Sequence, residues 1–409
     1  MLSPLEKLGI LADAAKYDAS CASSGTEKRK ADAQSLGSTS PGMGICHAYA
    51  PDGRCISLLK VLLTNYCSFD CHYCVNRVSS NVPRARFSIK EVVDLTLGFY
   101  RRNMIEGLFL SSGIIQSPDY TMEQVVAVAR SLRTEHGFRG YIHLKTIPDA
   151  DPLLLADAGR YADRLSINVE LPAPRALAEL APQKDATRIR KAMGATRLHI
   201  DDAREAKAKS TKAPRFAPAG QSTQMIVGAE PSTDADIIGT SQTLYASYGL
   251  SRVYYSAFSP IPDASRMLPL TAPPLMREHR LYQADWLLRL YGYTAQEINS
   301  AAPGGMLDLT FDPKMAWALE NRGDFPVDMN TAPREKLLRV PGLGVRTVER
   351  VLDIRKYRKI RIADLAKLCR SLKMILPFVV CTDWRPKALT DSLTLRDRLK
   401  PGAQQLTLL

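Results

Sequence analysis

The stretch Cys67-Ser-Phe-Asp-Cys71-His72-Tyr73-Cys74 carries three cysteines within eight residues. Three thiolates at this spacing can hold three irons of a [4Fe–4S] cluster, for which a complete set of protein ligands is four cysteines. One iron is then open to bind another molecule, as the open position of a catalytic zinc ion binds water. The alternative is a structural zinc site, which requires a fourth Cys or His at a second short spacing. The sequence has no second C-x2-C pair, and His72 is expected to point away from a site formed by its neighbours.

The C-x3-C-x2-C spacing, with an aromatic residue directly before the last cysteine, resembles the radical S-adenosylmethionine (SAM) enzymes. In that family the open iron binds the amino and carboxylate groups of SAM, and the reduced cluster cleaves SAM to a 5′-deoxyadenosyl radical. The resemblance implies that Cys67, Cys71 and Cys74 hold a [4Fe–4S] cluster and that SAM is the second cofactor. It also implies that Tyr73 lies against SAM and that a low-potential electron donor is a partner.

Predicted strands and helices alternate along the chain around the triplet. The predicted strands are 57–66, 106–113, 141–147, 164–171, 222–228 and 253–258. The predicted helices between the first of these strands are 88–102, which opens on a capping box of Ser88 and Glu91, 121–135 and 152–162. Strands that alternate with helices of this length indicate βαβ units and a parallel sheet. The cysteines therefore follow the first strand, at the end where α/β barrels place their chemistry.

Six such units resemble the partial (βα)6 barrel of radical SAM proteins. The predicted fold class is α/β, a partial (βα)6 TIM-like radical SAM barrel with a C-terminal all-α helix-hairpin-helix domain. The predicted divisions are a flexible N-terminal segment, the barrel, a helical connector, the helix-hairpin-helix domain and a tail, over 1–45, 46–270, 271–325, 326–385 and 386–409.

The resemblance places SAM at the ends of the strands. The expected contacts, besides Tyr73, are small or polar residues: Ser111, Ser112, Gly113, Ser166, Asn168, Glu170, Gln224 and Gly228. Ser111 to Gly113 stand where the family has a Gly-Gly-Glu-like motif, and this sequence departs from that motif because it lacks the Glu. Ser166, Asn168 and Glu170 share one face of their predicted strand, since alternate side chains point the same way. Polar groups inside an apolar strand need partners.

Lys145, on the third predicted strand, has two interpretations. It either faces the barrel, where it would meet an anionic group, or lies on the surface. The catalytic residues are not indicated by the sequence.

A second motif lies near the C-terminus. Leu337–Leu352 contains two short predicted helices joined by the turn Pro341-Gly342-Leu343-Gly344, and it resembles a helix-hairpin-helix, a module that grips nucleic-acid backbone. Glycines allow positive φ and close approach of a phosphate, and the amides that open the next helix attract an anion. The expected nucleic-acid contacts are Gly342, Gly344, Arg346, Lys356 and Arg358. A second, degenerate helix pair follows at 355–368.

The charge of the chain favours a polyanionic partner. The net charge is +13, and residues 334–373 carry thirteen Lys or Arg against four Asp or Glu. A solvated basic face, or a hairpin module that contacts protein, would give the same composition. No apolar run is long enough to span a membrane, and the first residues do not resemble a secretory signal. A cytoplasmic protein with no membrane partner is therefore expected, with cysteines used for metal rather than for disulfides.

Other segments give weaker predictions. Residues 184–215 hold ten Lys or Arg against four acids and are expected to form an insertion on the barrel, as a lid or a second basic surface. The amphipathic helix Leu275–Tyr291 is expected to pack against the barrel, with Tyr282 and Trp286 in a core. Of the other cysteines, Cys21, Cys46 and Cys55 could bind an auxiliary cluster, donate a hydrogen atom to a substrate radical, or pack as small hydrophobes. Cys369 and Cys381 are interpreted as packing residues.

The order of barrel and helix-hairpin-helix resembles a group of bacterial radical SAM proteins assigned to DNA modification or repair. The resemblance implies an enzyme that abstracts a hydrogen atom from a nucleotide of DNA. The alternatives are RNA or tRNA modification by the same chemistry, and a non-catalytic iron–sulfur sensor that binds DNA. The polar residues on the strands favour an enzyme, because a sensor needs no SAM pocket.

Overall fold

The computed structural model describes residues 2–15, 44–49, 55–261, 265–369, 371–386 and 392–400. The chain divides into two compact units. The first consists of Met1–Ser232 and Thr243–Pro273, and the second of Thr233–Gln242 and Pro274–Leu409.

The first unit is a seven-stranded sheet with helices between its strands. In chain order its elements are α1 (Pro4–Ala14), β1 (Ile45–Tyr49), β2 (Cys55–Leu62), α2 (Ile89–Arg101), β3 (Gly107–Ser111), α3 (Pro118–Thr134), β4 (Tyr141–Lys145), α4 (Pro152–Tyr161), β5 (Arg164–Ser166), α5 (Pro174–Leu180), α6 (Ala186–Lys209), β6 (Gln221–Val227), α7 (Asp234–Tyr248) and β7 (Arg252–Ala257). The first part of α7, to Gln242, belongs to the second unit.

The strands lie side by side in chain order, from β1 to β7. The strands β2 to β7 are parallel, each to its neighbour, as in consecutive βαβ units. The six predicted strands correspond to β2 to β7. The antiparallel edge strand β1 was not predicted. A parallel sheet is covered on both faces, so its strands are almost continuously apolar. Accordingly Leu58, Leu108, Leu144 and Leu165 are fully buried.

Two predictions for this unit need correction. The segment 1–45 was expected to be flexible, yet its residues 4–14 form α1, which a Ser3–Glu6 capping box opens and which buries Leu8 and Leu11. The remainder, 16–43, lies outside the described residues and includes Cys21. Residues 184–215 were expected to be an insertion, but most of them form α6, the crossover helix between β5 and β6.

The second unit is mostly helical. Its elements are α8 (Leu275–Leu290), α9 (Ala295–Asn299), α10 (Pro313–Glu320), β8 (Val327–Asp328), α11 (Arg334–Arg339), α12 (Val345–Ile354), α13 (Ile362–Leu368), α14 (Leu372–Ile375), β9 (Val379–Val380) and α15 (Leu395–Leu399). Three short 3-10 turns lie at Pro303–Gly305, Arg322–Asp324 and Leu376–Phe378. The strands β8 and β9 form a small parallel pair.

A buried lysine and a half-buried arginine connect the hairpin between α11 and α12 to the preceding helices. Lys314 of α10 is 6% exposed, and its Nζ donates to the Leu343 carbonyl at 2.7 Å. Arg339 of α11 pairs with Glu297 at 2.7 Å. The predicted division between 271–325 and 326–385 therefore does not separate two compact units.

The end of the second unit and the connector also differ from expectation. The segment 386–409 was predicted as a tail, but within it α15 buries Leu395 and Leu399. In α8 Tyr282 is 3% exposed, as a core residue should be, whereas Trp286 is 44% exposed. No helix in the described ranges is long and apolar enough to cross a membrane.

Candidate functional site

The cysteine triplet lies on the loop that follows β2. In the sheet Leu62 at the end of β2 is in register with Ser111 at the end of β3, so the loops after these two strands run side by side. The Gly113 amide donates to the Thr64 carbonyl at 2.8 Å, and the Ser68 amide donates to the Ile114 carbonyl at 2.7 Å. The parallel pairing of β2 and β3 therefore positions the cysteine loop beside residues 112–114.

Gly113 is required at this junction. A Cβ at position 113 would lie 2.3 Å from the Tyr66 carbonyl oxygen and 3.3 Å from Cys67 Cβ. Any side chain would push the loop away, since backbone atoms cannot yield as a flexible side chain does. The sequence analysis assigned Gly113 to SAM binding, and its contacts show a second role in the close approach of the two loops.

A single guanidinium closes the cysteine loop on its far side. Arg84 donates from Nη1 to the carbonyls of Asn65 and Asn76, the latter at 2.8 Å, and from Nη2 to the carbonyls of Arg77 and Ser80 at 2.6 and 2.9 Å. The two terminal nitrogens thus use all four of their N–H groups on backbone carbonyls. Arg84 ties the end of the loop to its beginning and was missed by the sequence analysis, which had no spacing signal for it.

The environments of the three thiols differ. Cys67 Sγ accepts from the amides of Phe69 and Ile114, each at 3.4 Å. Burial raises the pKa of the Cys71 thiol and raises that of Cys74 to about 12, with the neighbouring cysteine sulfurs adding to the rise. A group that binds these cysteines as thiolates must therefore offset the burial of their charge.

The described side chains include no group of three or more His, Cys, Asp or Glu placed to hold a single metal ion. A tetrahedral zinc site needs its ligands gathered around one point. The thiolates of an iron–sulfur cluster bind separate irons, so they need not converge in this way. The two kinds of site therefore require different arrangements of the same three cysteines.

All three cysteines line one cavity of about 210 Å³ at the carboxyl ends of the parallel strands. The polar groups in its wall come from the parallel strands and the loops after them: Asn76, Ser111, Ser112, Lys145, Thr146, Asp149, Asn168, Glu170, Lys184, Gln224, Ser256 and Ser259. Tyr73, Val75, Ile226 and Phe258 provide apolar wall. A parallel sheet places ligand sites at this edge, where the strands end.

Most residues predicted for SAM line this cavity, and two do not. Tyr73, Ser111 to Gly113, Asn168, Glu170 and Gln224 belong to the wall, as does Lys145. Ser166 is not part of the wall, and its hydroxyl lies 3.1 Å from that of Ser222, its register partner on β6. Gly228 has φ of +80°, and a Cβ there would lie 2.9 Å from Pro273 Cγ, so its need for glycine comes from the backbone and this contact. The strand pattern indicated which side chains share a face, but not which of them reach the cavity; their contact with SAM stays a prediction.

Lys184 is the main cavity residue that the sequence analysis missed as a site residue. It forms an ion pair with Glu170 and lies 5.9 Å from the centre of the Tyr73 ring. Burial alone would lower the pKa of Lys184, but the Glu170 carboxylate outweighs it and holds that pKa well above its usual value. Glu170 itself has φ of +64°, in the left-handed region that non-glycine residues seldom adopt. Lys184 stands in a loop, where no periodic pattern identifies a buried residue.

The other described cysteines lie elsewhere. Cys46 is in register with Leu58 and packs against the apolar cluster of Ile56, Leu58 and Phe109, as a small hydrophobe would. Cys55 is exposed at the start of β2, and seven residues of strand, about 23 Å at 3.3 Å per residue, separate it from Leu62. Neither is placed to add a ligand to the triplet. In the second unit burial raises the pKa of Cys369 and of Cys381 to about 11, in keeping with packing residues.

The predicted nucleic-acid contacts lie in the second unit, around α12. Gly342 is exposed with φ of +77°, which fits the predicted turn, whereas Gly344 is half-buried. The Val345 amide, one of those that open α12, donates to the Tyr291 hydroxyl, so this amide already has a partner. Arg346 is exposed.

Two of the predicted contacts are engaged in ion pairs. Lys356 pairs with Asp353 at 2.8 Å. Arg358 forms two hydrogen bonds to Asp364, at 2.8 and 2.6 Å, and this arginine holds the pKa of Asp364 down to about 2. Arg358 therefore connects the turn after α12 to α13 through this ion pair.

No family model and no curated protein matches this sequence. Solved structures with some similarity include the FeFe-hydrogenase maturase HydG from Carboxydothermus hydrogenoformans, with 16% identity, a TM-score of 0.43 and coverage of 57% of this chain and 51% of that one. SuiB from Streptococcus suis gives 10%, 0.39, 55% and 45%, and methylornithine synthase (PylB) gives 14%, 0.40, 75% and 84%. The chain thus spans about half the length of HydG and of SuiB. With TM-scores this low, these similarities carry no conclusion about fold or function here.

Proposed function

We propose that this protein is a radical SAM enzyme, in which Cys67, Cys71 and Cys74 hold a [4Fe–4S] cluster and the adjoining cavity binds SAM. The observation that carries the proposal is that one cavity is lined by the C-x3-C-x2-C triplet, the polar ends of β3 and β4, the residues Asn168 and Glu170 that follow β5, and Gln224 of β6. Three thiols and no further cysteine in that wall are the donor set that leaves one iron of a cluster open. When bound and reduced, the cluster would supply the electron that cleaves SAM to a 5′-deoxyadenosyl radical.

The residues of the cavity have separate tasks in this proposal. Asn168 and Gln224, both more than nine-tenths buried, offer amide donors and acceptors at the strand ends. Lys184 neutralises Glu170 and covers the Tyr73 ring, which keeps a charged carboxylate tolerable beside the cysteine loop. The apolar wall of Val75, Ile226 and Phe258 excludes water from reactive species. Such a built pocket favours an enzyme over a sensor that needs a cluster alone.

The binding half of the proposal can be tested with two neighbouring polar residues. Asn168→Ala should weaken SAM binding to the reconstituted protein about tenfold, since one or two hydrogen bonds are worth about 1–1.5 kcal/mol. Ser166→Ala is the matched control, because Ser166 is also buried and lies two residues earlier in the chain, but it is outside the cavity wall and its hydroxyl lies 3.1 Å from that of Ser222. Calorimetric titration with SAM and the formation of 5′-deoxyadenosine under reducing conditions measure the effect. An intact, reducible cluster that neither binds nor cleaves SAM would contradict the enzyme and favour the sensor.

We further propose that the substrate is a nucleic acid, DNA in the first instance, held by the second unit and modified or repaired by this chemistry. The support is the exposed Gly342 turn with positive φ, the exposed Arg346 beside it, and the basic composition of 334–373. RNA or tRNA is the second candidate, since backbone contacts of this type carry little sequence information. The same proposal includes a cytoplasmic location for the protein and a low-potential electron donor as its partner.

The affinity of the full-length protein for DNA should fall steeply with salt. A log–log slope of roughly −0.9 is expected for each phosphate neutralised on B-DNA. Arg346→Ala should weaken binding similarly on all sequences and make the slope shallower by about one. Arg398→Ala, at an exposed arginine of α15, controls for the loss of one charge. Fluorescence anisotropy across a salt series gives both values, and equal losses in the two variants would reduce the interaction to net charge.

A further inference from the structure

The turn after α12 exposes a tyrosine among cations. Tyr357 is 89% exposed, whereas the other exposed aromatic side chains in the described ranges lie between 38% and 49%. It stands in the run Arg355-Lys-Tyr-Arg-Lys-Ile-Arg361, which has five basic residues and no acid. Singly exposed apolar side chains are ordinary on protein surfaces, so the exposure of Tyr357 matters here because of the basic residues around it. A ring held out between basic residues presents a flat, apolar face in a positive field.

The acidic groups around this turn are already paired. Asp353 pairs with Lys356 at 2.8 Å, Asp364 pairs with Arg358, and Glu349 of α12 pairs with Arg334 at 2.8 Å. These pairs remove the carboxylates that would repel a phosphate. They also hold the backbone on both sides of Tyr357, since Lys356 and Arg358 are fixed to α12 and α13 respectively. The ring is thus presented on a restrained turn.

Tyr357 continues one exposed face of α12. Arg346 and Arg350 are exposed and four residues apart, so they lie on one side of the helix. The Tyr357 amide donates to the Ile354 carbonyl at 3.0 Å, so Tyr357 lies in a tight turn directly after the end of α12. From Arg346 to Ile354 the helix covers about 12 Å at 1.5 Å per residue, and Tyr357 lies just beyond its end. That length matches several phosphates at the roughly 3.4 Å spacing of one strand of B-DNA.

We propose that Tyr357 is a stacking platform for an unpaired base, and that the backbone of single-stranded nucleic acid follows Arg346 and Arg350 along α12. The proposal rests on the proposed function and names the form of its substrate. Bases inside a duplex already stack on one another, so an exposed ring can stack only on a base that is unpaired or displaced. Every base has a flat face, so this contact adds affinity without sequence preference.

The test uses full-length protein and labelled oligonucleotides of equal length. The three probes are a single strand of oligothymidylate, the duplex of that strand with its complement, and a single strand in which the bases are replaced by abasic positions. Tyr357→Ala should weaken binding of the single strand about 5- to 150-fold, the factor that corresponds to the loss of one base–aromatic stack. Tyr357→Phe should restore it, because the ring face is kept. Duplex binding should not change, and the abasic strand should be insensitive to the substitution. Because the side chain is so exposed, the variants should fold, and thermal unfolding checks this.

The outcomes separate this inference from the proposed function. Unchanged single-strand affinity in Tyr357→Ala, or an equal loss on single strand, duplex and abasic strand, overturns the stacking platform while salt-dependent binding through Arg346 stands. Failure of the wild-type protein to bind any oligonucleotide overturns both the platform and the nucleic-acid substrate. Binding of an acidic peptide through Tyr357, with none of the oligonucleotides bound, would assign the surface to a protein partner and overturn the proposal.

Discussion

Replacing any one of Cys67, Cys71 and Cys74 by alanine should remove the iron–sulfur cluster from the anaerobically reconstituted protein. The wild-type chain is expected to carry about four irons for one [4Fe–4S] cluster. Three thiolates already leave one iron without a protein ligand. Removal of one more thiolate leaves only two protein ligands, which are too few to retain the cluster. Iron and sulfide content, with the visible absorption of the cluster, measure the loss.

The chain provides matched controls for this experiment. Cys46→Ala and Cys55→Ala remove the same group from β1 and from the far end of β2, and both should keep the full iron load. Full iron in the Cys67/Cys71/Cys74 triple variant, together with dependence on Cys46 and Cys55, would show that the cluster lies elsewhere. In that case the cavity at the strand ends would lose its assigned cofactor.

The sheet was predictable from the sequence because it depends on local patterns. Buried parallel strands read as short apolar runs, and capped amphipathic stretches read as helices; the Ser88–Glu91 capping box is present at the start of α2. The order of the strands then follows from short βαβ connections. The edge strand β1 was not predicted because Ile45–Tyr49 is short and because its pairing with β2 depends on the tertiary structure rather than on a local sequence pattern.

The candidate site was predictable in part. A cysteine spacing is local, and alternation along a strand gives the inward face, so Asn168 and Gln224 were found. Whether a side chain reaches the cavity or a neighbouring strand depends on the sheet as a whole, which is why Ser166 bonds to Ser222 instead. Lys184 and Arg84 lie on loops, and no periodic pattern indicates that Lys184 pairs with Glu170 or that Arg84 donates to four backbone carbonyls.

The hairpin shows the same limit. Its glycine turn can be recognised in the sequence as a motif, but the residues that hold the turn in place cannot. Lys314 precedes Leu343 by 29 residues and donates to its carbonyl from a buried position, where burial lowers the pKa of this lysine to about 7. A buried cation of this kind links the turn to α10, so the hairpin should be studied in the full chain rather than as an isolated segment.

Arg84→Met should destabilise the cysteine loop and with it the retention of the cluster. The substitution keeps an unbranched, flexible side chain, although a shorter one, and leaves four carbonyls without the charged donors they now have. Hydrogen bonds to charged groups are individually strong, and together their loss should cost about 2–4 kcal/mol of unfolding free energy. Because the carbonyls belong to residues on either side of the triplet, the cost falls on the segment that carries the thiols.

Two further variants separate geometry from charge. Arg84→Lys keeps the charge but has three N–H groups and no planar fork, so it should fall between wild type and Arg84→Met. Arg102→Met, at an exposed arginine that follows α2, controls for the loss of one surface charge. The measurements are the thermal unfolding midpoint without cluster and the rate at which a chelator removes iron from the reconstituted protein. If Arg84→Met releases iron no faster than wild type, the register of the loop with residues 112–114 is enough to hold the thiols, and Arg84 serves only the turn at Asn76 to Ser80.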